Sequence, residues 1–333
     1  MMLRLWNNRT VRPYLILVLT VAVFSLIGGT KVLSTATVYS VLQHFATLGP
    51  VALALGLTIL ARNFDLSVAG VVGLAGCVAV LVGNAHPLLG VVAALAVGGA
   101  FGLVQGLIIV RLNLNSIGVT LGGLLTATGL AFVATGNQEV RLLRPEIPAL
   151  MDSPWLGPIS LRVLIAVALF ALAAIVVTRT RAGRDLLAAG SDPKAALVAG
   201  VQVGAVVITA FAIAGMCSAL GGALLSYSLA AASPLPLSNT LVPAAAAAII
   251  GGVSLRGGRG SPVGIAGGVL VLSALQSGLT ALGVDPFVQD IATGGVLLVV
   301  GIFDGGELRR RMNDFDRFLR PTRFQTNPSD KPV

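Results

Sequence analysis

The stretch RNFDLSVAGVVGLAG, from Arg62 to Gly76, places an arginine and an acid, Asp65, directly before a long apolar run. Another apolar run ends just before this stretch, so the sequence predicts two membrane helices joined by a short polar turn. A span needs about 20 apolar residues. Ten runs qualify, at approximately 14–30, 41–61, 66–84, 88–110, 116–136, 161–178, 203–226, 240–253, 263–283 and 287–303.

The composition excludes a water-soluble globule. Hydrophobic residues make up 56% of the 333 residues, charged residues 11%, and the mean hydropathy is +0.93. Soluble domains are roughly half apolar and about a quarter charged. The chain is therefore predicted to be an all-α polytopic membrane protein with about ten transmembrane helices. The first run could instead be a signal peptide, since Arg4, Arg9 and Arg12 precede it, but it is rather long for one and further spans follow at once.

The basic residues predict the orientation. With the N-terminus inside, 18 of the 22 lysines and arginines fall on the cytoplasmic side, and only Lys31, Arg141, Arg144 and Arg162 fall outside. Both ends are thus expected in the cytoplasm, and the net charge of +9 needs no nucleic acid partner. The predicted parts are a cytoplasmic segment 1–13, a transmembrane domain 14–303 with a cytoplasmic loop 179–202, and a basic tail 304–333.

Two connecting segments have their own patterns. The external loop 137–160 carries four prolines, which favours an extended, ordered loop over a domain. In the tail, Leu308, Met312, Phe315 and Leu319 recur at helical spacing opposite a basic face. This pattern is typical of a helix on the anionic inner leaflet, although a stop-transfer cluster of charges would look similar.

Serines and glycines suggest an internal repeat and close helix packing. SVAGVVG from Ser67 and SPVGIAG from Ser261 share Ser, Gly and Gly at an offset of 194 residues, although chance could produce this match in a chain with 41 glycines. Glycines spaced by four residues predict helix faces that let a neighbour come close. They form two sets, Gly98, Gly102 and Gly106, and Gly118 and Gly122.

The sequence offers no pattern for catalysis, a cofactor or a metal site. It has no GxxxxGK[ST] motif, no nucleophile and base at catalytic spacing, and no cluster of metal ligands. Cys77 and Cys217 are interpreted as packing residues. Few charges lie deep in the spans. Asp65 and Asp290 are the exceptions, and both lie near predicted span ends, so a proton relay is poorly supported.

The loop 179–202 predicts a capped cytoplasmic helix. In RAGRDLLAAGSDPKAALVAGVQ, Asp192 is placed to cap the N-terminus, Pro193 suits the first helical position, and a short helix continues to Gly200. A short helix of small residues outside the membrane has little to bury by itself. It is therefore a candidate for docking on another subunit, or else a simple connector between spans.

Four segments in order resemble the membrane-spanning permease of ribose-type, simple-sugar ABC importers over nearly the whole chain. NFDLSVAG resembles the family's GIDLSVG segment, RLNLNSIGVTLGGL its entry to the fifth span, GRDLLAAGSDPKAALVAGV its GNNPEAARLSGI segment, and AAAAIIGGVSLRGGRGSPVG its VLGGTSLxGGxG segment. The chain departs from that pattern at Arg62 and Asn63, at an inserted Ala69, and at Ser191 and Asp192.

The resemblance implies a non-catalytic subunit with partners: an ABC ATPase, a periplasmic or lipid-anchored binding protein, and a second permease copy or paralogue. It implies that the helix after Asp192 couples to the ATPase, through Ser191, Asp192, Pro193, Lys194, Ala195, Ala196 and Gly200. The motif residues are Asp65, Leu66, Ser67 and Gly70, with Asp65 expected to cap the next helix and to pair with Arg62.

The expected function is import of a sugar or sugar-like solute by alternating access. Polar residues that could line its path are Gln105, Asn115, Thr120, Thr126, Thr128 and Gln276. The alternative is a secondary transporter or channel that works without ATP. An intramembrane enzyme would need catalytic groups within the spans, and the sequence shows none there.

The orientation can be tested by labelling. A cysteine introduced at Asn137 or Ser153 should react with an impermeant thiol reagent in intact cells, because both positions lie in the predicted external loop. A cysteine at Ser191 or Asn313 should not react. Labelling of Ser191→Cys from outside would contradict the orientation.

Overall fold

A computed structural model of the chain describes residues 10–29, 32–235 and 238–304. Helices make up most of this described part. They are α1 (Arg12–Gly28), α2 (Thr35–Leu60), α3 (Val68–Gly83), α4 (Pro87–Leu112), α5 (Ser116–Thr135), α6 (Glu146–Asp152), α7 (Leu161–Arg179), α8 (Arg181–Ser191), α9 (Pro193–Val198), α10 (Val203–Ser228), α11 (Ser238–Ile250), α12 (Pro262–Ala281) and α13 (Pro286–Asp304).

The helices occupy all ten apolar runs. Six of them, α2, α4, α5, α7, α10 and α12, are long and apolar enough to cross a membrane by length and composition. Others are shorter, such as α1 with 17 residues and α3 with 16. The prediction of an all-α protein with several membrane helices is confirmed. The count of ten spans and the position of both ends inside stay predictions, and the tail pattern from Leu308 lies outside the described residues.

Side-chain caps fix where several helices begin. Ser34, Asn115 and Ser160 accept hydrogen bonds from backbone N–H groups in the first turns of α2, α5 and α7. Each cap satisfies one of the N–H groups that a helix start leaves without a partner. Such caps matter more where the adjacent segment enters lipid, because water is not available to take their place.

The core of the bundle is formed by α2, α3, α10 and α12. Residues 45–60 of α2 are buried with a single exception. The ring of Tyr227 on α10 is also fully buried, and its hydroxyl lies within hydrogen-bond distance of the carbonyl oxygens of Ala79 and Pro87. Tyr227 therefore fastens α10 to the corner between α3 and α4. The two cysteines are buried and free, which confirms that they are packing residues.

Glycines on α4 permit contact with the backbone of α10. A Cβ on Gly102 would overlap the carbonyl oxygen of Phe211, and a Cβ on Gly215 would overlap that of Gly98. The close packing predicted for the first glycine set is thus confirmed. For Gly118 and Gly122 on α5 it is not, because an added Cβ would meet nothing within 4 Å in the described part of the chain.

The loop 137–160, predicted to be external, is more structured than its prolines predict. It contains the helix α6 and three short strands. Two of these, β2 (Pro154–Leu156) and β3 (Ile159–Ser160), pair with each other, and β1 (Val140–Arg141) pairs with β4 (Ala231–Ala232), which follows α10; both pairs are antiparallel. Pro145 precedes α6 and supplies the fixed φ of a helix start. The expectation of an extended loop was therefore wrong for residues 146–152.

Two glycine substitutions should separate these packing environments. Gly102→Ala should lower the free energy of unfolding by about 1–3 kcal/mol, because its methyl group forces α4 away from α10. Gly122→Ala should leave the fold of the chain nearly as stable as before, because the added methyl group has open space. Thermal unfolding in detergent measures both, and equal stability of the two variants would contradict the described packing.

Candidate functional site

The segment 60–67 leaves α2 through a tightly bonded turn. The Asn63 N–H donates to the Thr58 carbonyl and the Arg62 N–H to the Ile59 carbonyl, both at 2.9 Å, which is the bond pattern of a Schellman motif. Arg62 occupies the left-handed position of this motif, with φ 63°. Glycine usually takes that position because it lacks a Cβ.

Helix α11 ends in the same motif with the usual residue. The Val253 N–H donates to the Ala248 carbonyl and the Gly252 N–H to the Ile249 carbonyl, and Gly252 has φ 84°. After these turns, Ser67 and Ser261 stand at the N-caps of α3 and α12. The two turns therefore share their geometry, which fits the predicted internal repeat without testing it.

Asp65 stabilises the turn that leads into α3. Its carboxylate is 2% exposed and accepts hydrogen bonds from the backbone N–H and the hydroxyl of Ser67, at 2.9 and 2.6 Å. Burial raises the pKa of Asp65 to about 6, although the two bonds from Ser67 oppose this shift. The expected ion pair with Arg62 does not form, and the Arg62 side chain is exposed. The carboxylate of Asp65 thus stabilises the turn before α3. It bonds to the N-cap residue Ser67 and not to an N–H group within the first turn of the helix, so it does not form the expected helix cap.

Ser67 extends this polar cluster to α4. Its hydroxyl oxygen accepts a hydrogen bond of 2.8 Å from Nε2 of Gln105, which is buried. The amide of Gln105 lies against Gly123 of α5, where a Cβ would be 2.8 Å from Oε1. That oxygen accepts no hydrogen bond within the described chain. Gln105 is therefore held between the turn and α5.

Backbone groups of the 60–67 segment also bind the first turns of α5. The Phe64 N–H donates to the Ser116 hydroxyl at 3.3 Å, and the Leu66 N–H donates to the Thr120 hydroxyl at 3.1 Å. Thr120 is fully buried, and its Oγ1 is 3.3 Å from the Phe64 carbonyl oxygen. The Thr120 hydroxyl thereby provides a hydrogen-bond partner for backbone groups of Phe64 and Leu66, which lie outside any helix and lack the partners that a helix would give them.

The remaining motif residue brings α3 close to α5. A Cβ on Gly70 would lie 2.7 Å from the Leu124 carbonyl oxygen. All four motif residues, Asp65, Leu66, Ser67 and Gly70, therefore serve one structural purpose, which is to hold the start of α3 against α4 and α5.

The 179–202 loop folds into two helices, α8 and α9. As predicted, Asp192 caps α9: its Oδ1 accepts from the N–H groups of Lys194 and Ala195 at 3.0 and 3.1 Å. Pro193 is the first helical residue. At the other end Gly200 has φ 82°, and the Val201 N–H donates to the Ala196 carbonyl, so α9 is closed at both termini. The sequence had not predicted α8.

Helix α9 leaves apolar side chains uncovered. Ala196 is its buried residue, whereas Leu197 and Val198 are 60% and 92% exposed. Because these two side chains are mostly exposed, they bury little apolar surface within the described chain. They form an apolar edge that suits contact with another protein.

A glycine-rich loop, 254–261, connects α11 to α12 along the chain. It lies between the end of α8 and the end of α2 and forms hydrogen bonds to both. The Gly258 N–H donates to the Leu60 carbonyl at 3.0 Å, and the Ser191 hydroxyl donates to the Gly258 carbonyl at 3.3 Å. Gly190 has no room for a Cβ, which would overlap the Leu60 carbonyl oxygen. Three segments distant in sequence thus meet backbone to backbone.

The path-lining candidates have different environments. Gln105 and Thr120 are buried and bonded to the 60–67 segment, so their polar groups are engaged inside this chain. Asn115 and Thr126 are exposed, and Thr128 and Gln276 are half-buried. The hydroxyls of Thr126 and Thr128 donate to carbonyl groups of their own helix. Whether any of the six faces a path stays a prediction.

A second buried polar cluster, near the external loop, escaped the sequence reasoning. Arg162, counted above as an external charge, is 6% exposed and forms an ion pair of 3.1 Å with Asp152. Its guanidinium also donates to Gln43 Oε1, and Tyr39 donates to the Asp152 carbonyl. These partners lie up to 119 residues apart, so no local pattern could have revealed them. No group of three or more potential metal ligands occurs among the described residues.

Comparison with known proteins places the chain in one group. Residues 37–301 match the family described as the permease component of branched-chain amino acid transport systems. The chain is 30% identical over 274 residues to the L-arabinose ABC transporter permease protein of Azospirillum brasilense, which covers 82% of this chain and 80% of that one.

Two further relatives are named as permeases for other sugars. The fructose import permease protein of Rhizobium meliloti is 31% identical over 307 residues, or 88% of this chain and 84% of the relative. The ribose import permease protein of Bacillus subtilis is 30% identical over 296 residues, or 88% and 91%. No solved structure matches the chain.

The left-handed arginine generates a test of the turn. Arg62→Gly should raise the free energy of unfolding by about 0.5–1 kcal/mol, because glycine adopts positive φ without steric cost. Gly252→Ala, at the equivalent position after α11, should lower it. Unfolding midpoints in detergent measure both changes, and a stabilising Gly252→Ala would show that the two turns do not have this geometry.

Proposed function

We infer a function from the family to which this chain belongs, the permease components of branched-chain amino acid transport systems. We propose that the chain forms the translocation path of an ABC importer. The family match covers most of the chain, and the bundle has six helices long and apolar enough to cross a membrane. The permease itself carries no catalytic group in this proposal. ATP hydrolysis belongs to a partner.

The proposed solute is a sugar or a sugar-like molecule. The relatives described above are named as permeases for arabinose, fructose and ribose. Their identities to this chain differ by a single percentage point, so the match supports the class and does not select one sugar. Profiling of ligands on the cognate binding protein would identify the solute.

The proposed partners are an ABC ATPase, a solute-binding protein and a second permease copy or paralogue in the bacterial inner membrane. The observation that carries the ATPase contact is the geometry of α9. This helix is capped by Asp192, closed by Gly200, and presents Leu197 and Val198 to the outside. A helix with fixed ends and an exposed apolar edge can seat in a groove and transmit force without fraying.

The proposed mechanism is alternating access. Closure of the ATPase subunits displaces the loop 179–202, and the helices rock so that the path opens to one side at a time. The path-lining role of Asn115, Thr126, Thr128 and Gln276 is part of this proposal. A secondary transporter or channel is the alternative, and uptake without the ATPase would distinguish it.

The capped helix provides the test. Replacing Asp192 and Pro193 with glycine removes the side-chain oxygen that accepts from the N–H groups of Lys194 and Ala195. The first turn of α9 becomes less stable, by on the order of 1 kcal/mol, and no span is changed. The protein should still insert and fold. Its copurification with the ATPase and its ATP-dependent uptake should fall together in proteoliposomes that contain the ATPase and the binding protein.

A matched control removes a cap elsewhere. Ser34→Gly deletes the hydroxyl that accepts from Thr37 at the start of α2, in a part of the chain predicted to lie outside the cell. It should leave copurification intact. Uptake that persists without any ATPase would contradict the importer, and full coupling in the double variant would contradict the role of α9.

A further inference from the structure

We propose that the 60–67 segment is the mechanical link that transmits movement of the 179–202 loop to α5. This inference rests on the proposed function, since it assumes that the loop is displaced by a partner. The juxtaposition that carries it is a continuous series of hydrogen bonds and backbone contacts from α8 through residues 60–67 to the first turns of α5.

The cytoplasmic end of this link is held by backbone groups and by one side-chain hydroxyl. The Leu60 carbonyl accepts from the Gly258 N–H at 3.0 Å, and the Gly258 carbonyl accepts from the Ser191 hydroxyl at 3.3 Å. A Cβ on Gly257 would lie 2.8 Å from Cβ of Arg62, and one on Gly190 would overlap the Leu60 carbonyl. Contacts this close leave no free space between the three segments. A shift of α8 therefore has to move the end of α2 or the glycine-rich loop.

The middle of the link is stiff. The Schellman bonds fix residues 61–63 on the end of α2, and the carboxylate of Asp65 fixes the following turn through two bonds from Ser67. The same Ser67 hydroxyl accepts from Gln105 on α4. A segment with this many internal bonds moves as one body rather than absorbing displacement by bending.

The other end of the link is fastened to α5 by side chains. Ser116 and Thr120 accept from the N–H groups of Phe64 and Leu66. Among the six span-length helices, α5 is the least buried, and it packs mainly on α3. On its opposite face, a Cβ added at Gly118 or Gly122 would meet nothing within 4 Å in the described part of the chain.

This arrangement makes α5 the responsive element. α5 is held on one face by α3 and at its cytoplasmic end by residues 60–67, so it moves when they move. Residues 60–67 lead directly into α3, so both contacts of α5 depend on the same turn. Coupling between distant sites requires such a contiguous, bonded route. Thr120 is accordingly a positioning residue: it acts on the path by holding α5 to the 60–67 segment.

The test removes one hydroxyl group. Thr120→Val keeps the shape of the side chain and leaves the Leu66 N–H without its acceptor, whereas Thr120→Ser keeps the hydroxyl. Thr135→Val is the matched control, because the Thr135 hydroxyl donates to carbonyl groups within α5 itself. The full-length variants are reconstituted with the ATPase and the binding protein, and solute uptake and ATP hydrolysis are measured together.

Thr120→Val should assemble with the ATPase and hydrolyse ATP at the original rate, while the amount of solute imported per ATP falls about fivefold, the factor expected for one hydrogen bond. Thr120→Ser should restore most of that ratio, and Thr135→Val should not change it. An unchanged ratio in Thr120→Val would overturn the link, and so would a parallel loss of uptake and hydrolysis, which indicates a general folding defect.

Amide hydrogen exchange on the full-length protein without partners decides the link even if the importer function fails. Thr120→Val should speed exchange in residues 60–67 and at the junction around Ser191, and Thr135→Val should not. Unchanged exchange at the Ser191 junction would overturn the link. Absence of ATP-dependent uptake by the original protein, with the exchange difference present, would instead refute the proposed function and keep the link.

Discussion

The bundle depends on direct backbone contact between α4 and α10. Gly98 and Gly102 on one helix and Gly215 on the other leave no Cβ atoms between the two backbones. In lipid the hydrophobic effect does not drive helices together, so the stabilising force is the dispersion attraction that such close approach permits. The core helix α3 packs against both of these helices, and Tyr227 fastens the group at the corner between α3 and α4.

Much of this architecture could be predicted from sequence because its causes are local. Apolar runs long enough to cross a bilayer indicated the helices, and the sequence Asp192, Pro193 with Gly200 indicated a short capped helix whose bonds the structure shows. Missed elements had long-range causes. The burial of Arg162 depends on Gln43 and Asp152, which belong to other elements, and the partner of Asp65 is Ser67 rather than its charged neighbour Arg62. The α8 helix was missed because small and charged residues dominate its sequence.

The two similar turns differ in length, and this difference explains how the turn after α2, the turn after α11 and the 179–202 loop come into contact. From Arg62 to the N-cap at Ser67 is five residues, whereas from Gly252 to the N-cap at Ser261 is nine. The extra residues of the second turn include Gly257 and Gly258, which contact Arg62 and Ser191. The longer glycine-rich stretch after α11 therefore lets this turn contact both the turn after α2 and the 179–202 loop. Serine or alanine in its place would collide with neighbouring backbone, so the contact requires glycine.

The placement of buried polar groups follows from the cost of a polar atom in hydrocarbon. The cluster around Arg162 involves Gln43 near one end of α2, and the cluster around Asp65 follows Leu60 at the other end. Gln43 and Leu60 are 17 residues apart, which corresponds to about 26 Å along a helix. That length is close to the thickness of the hydrocarbon layer, about 30 Å. The spacing of the two clusters along α2 therefore matches the length that a helix needs to cross a bilayer, and the buried part of α2 lies between them. Because polar bonds hold α2 at both ends, and the Schellman bonds tie residues 61–63 to its last turn, α2 is suited to shift together with the 60–67 segment as one body.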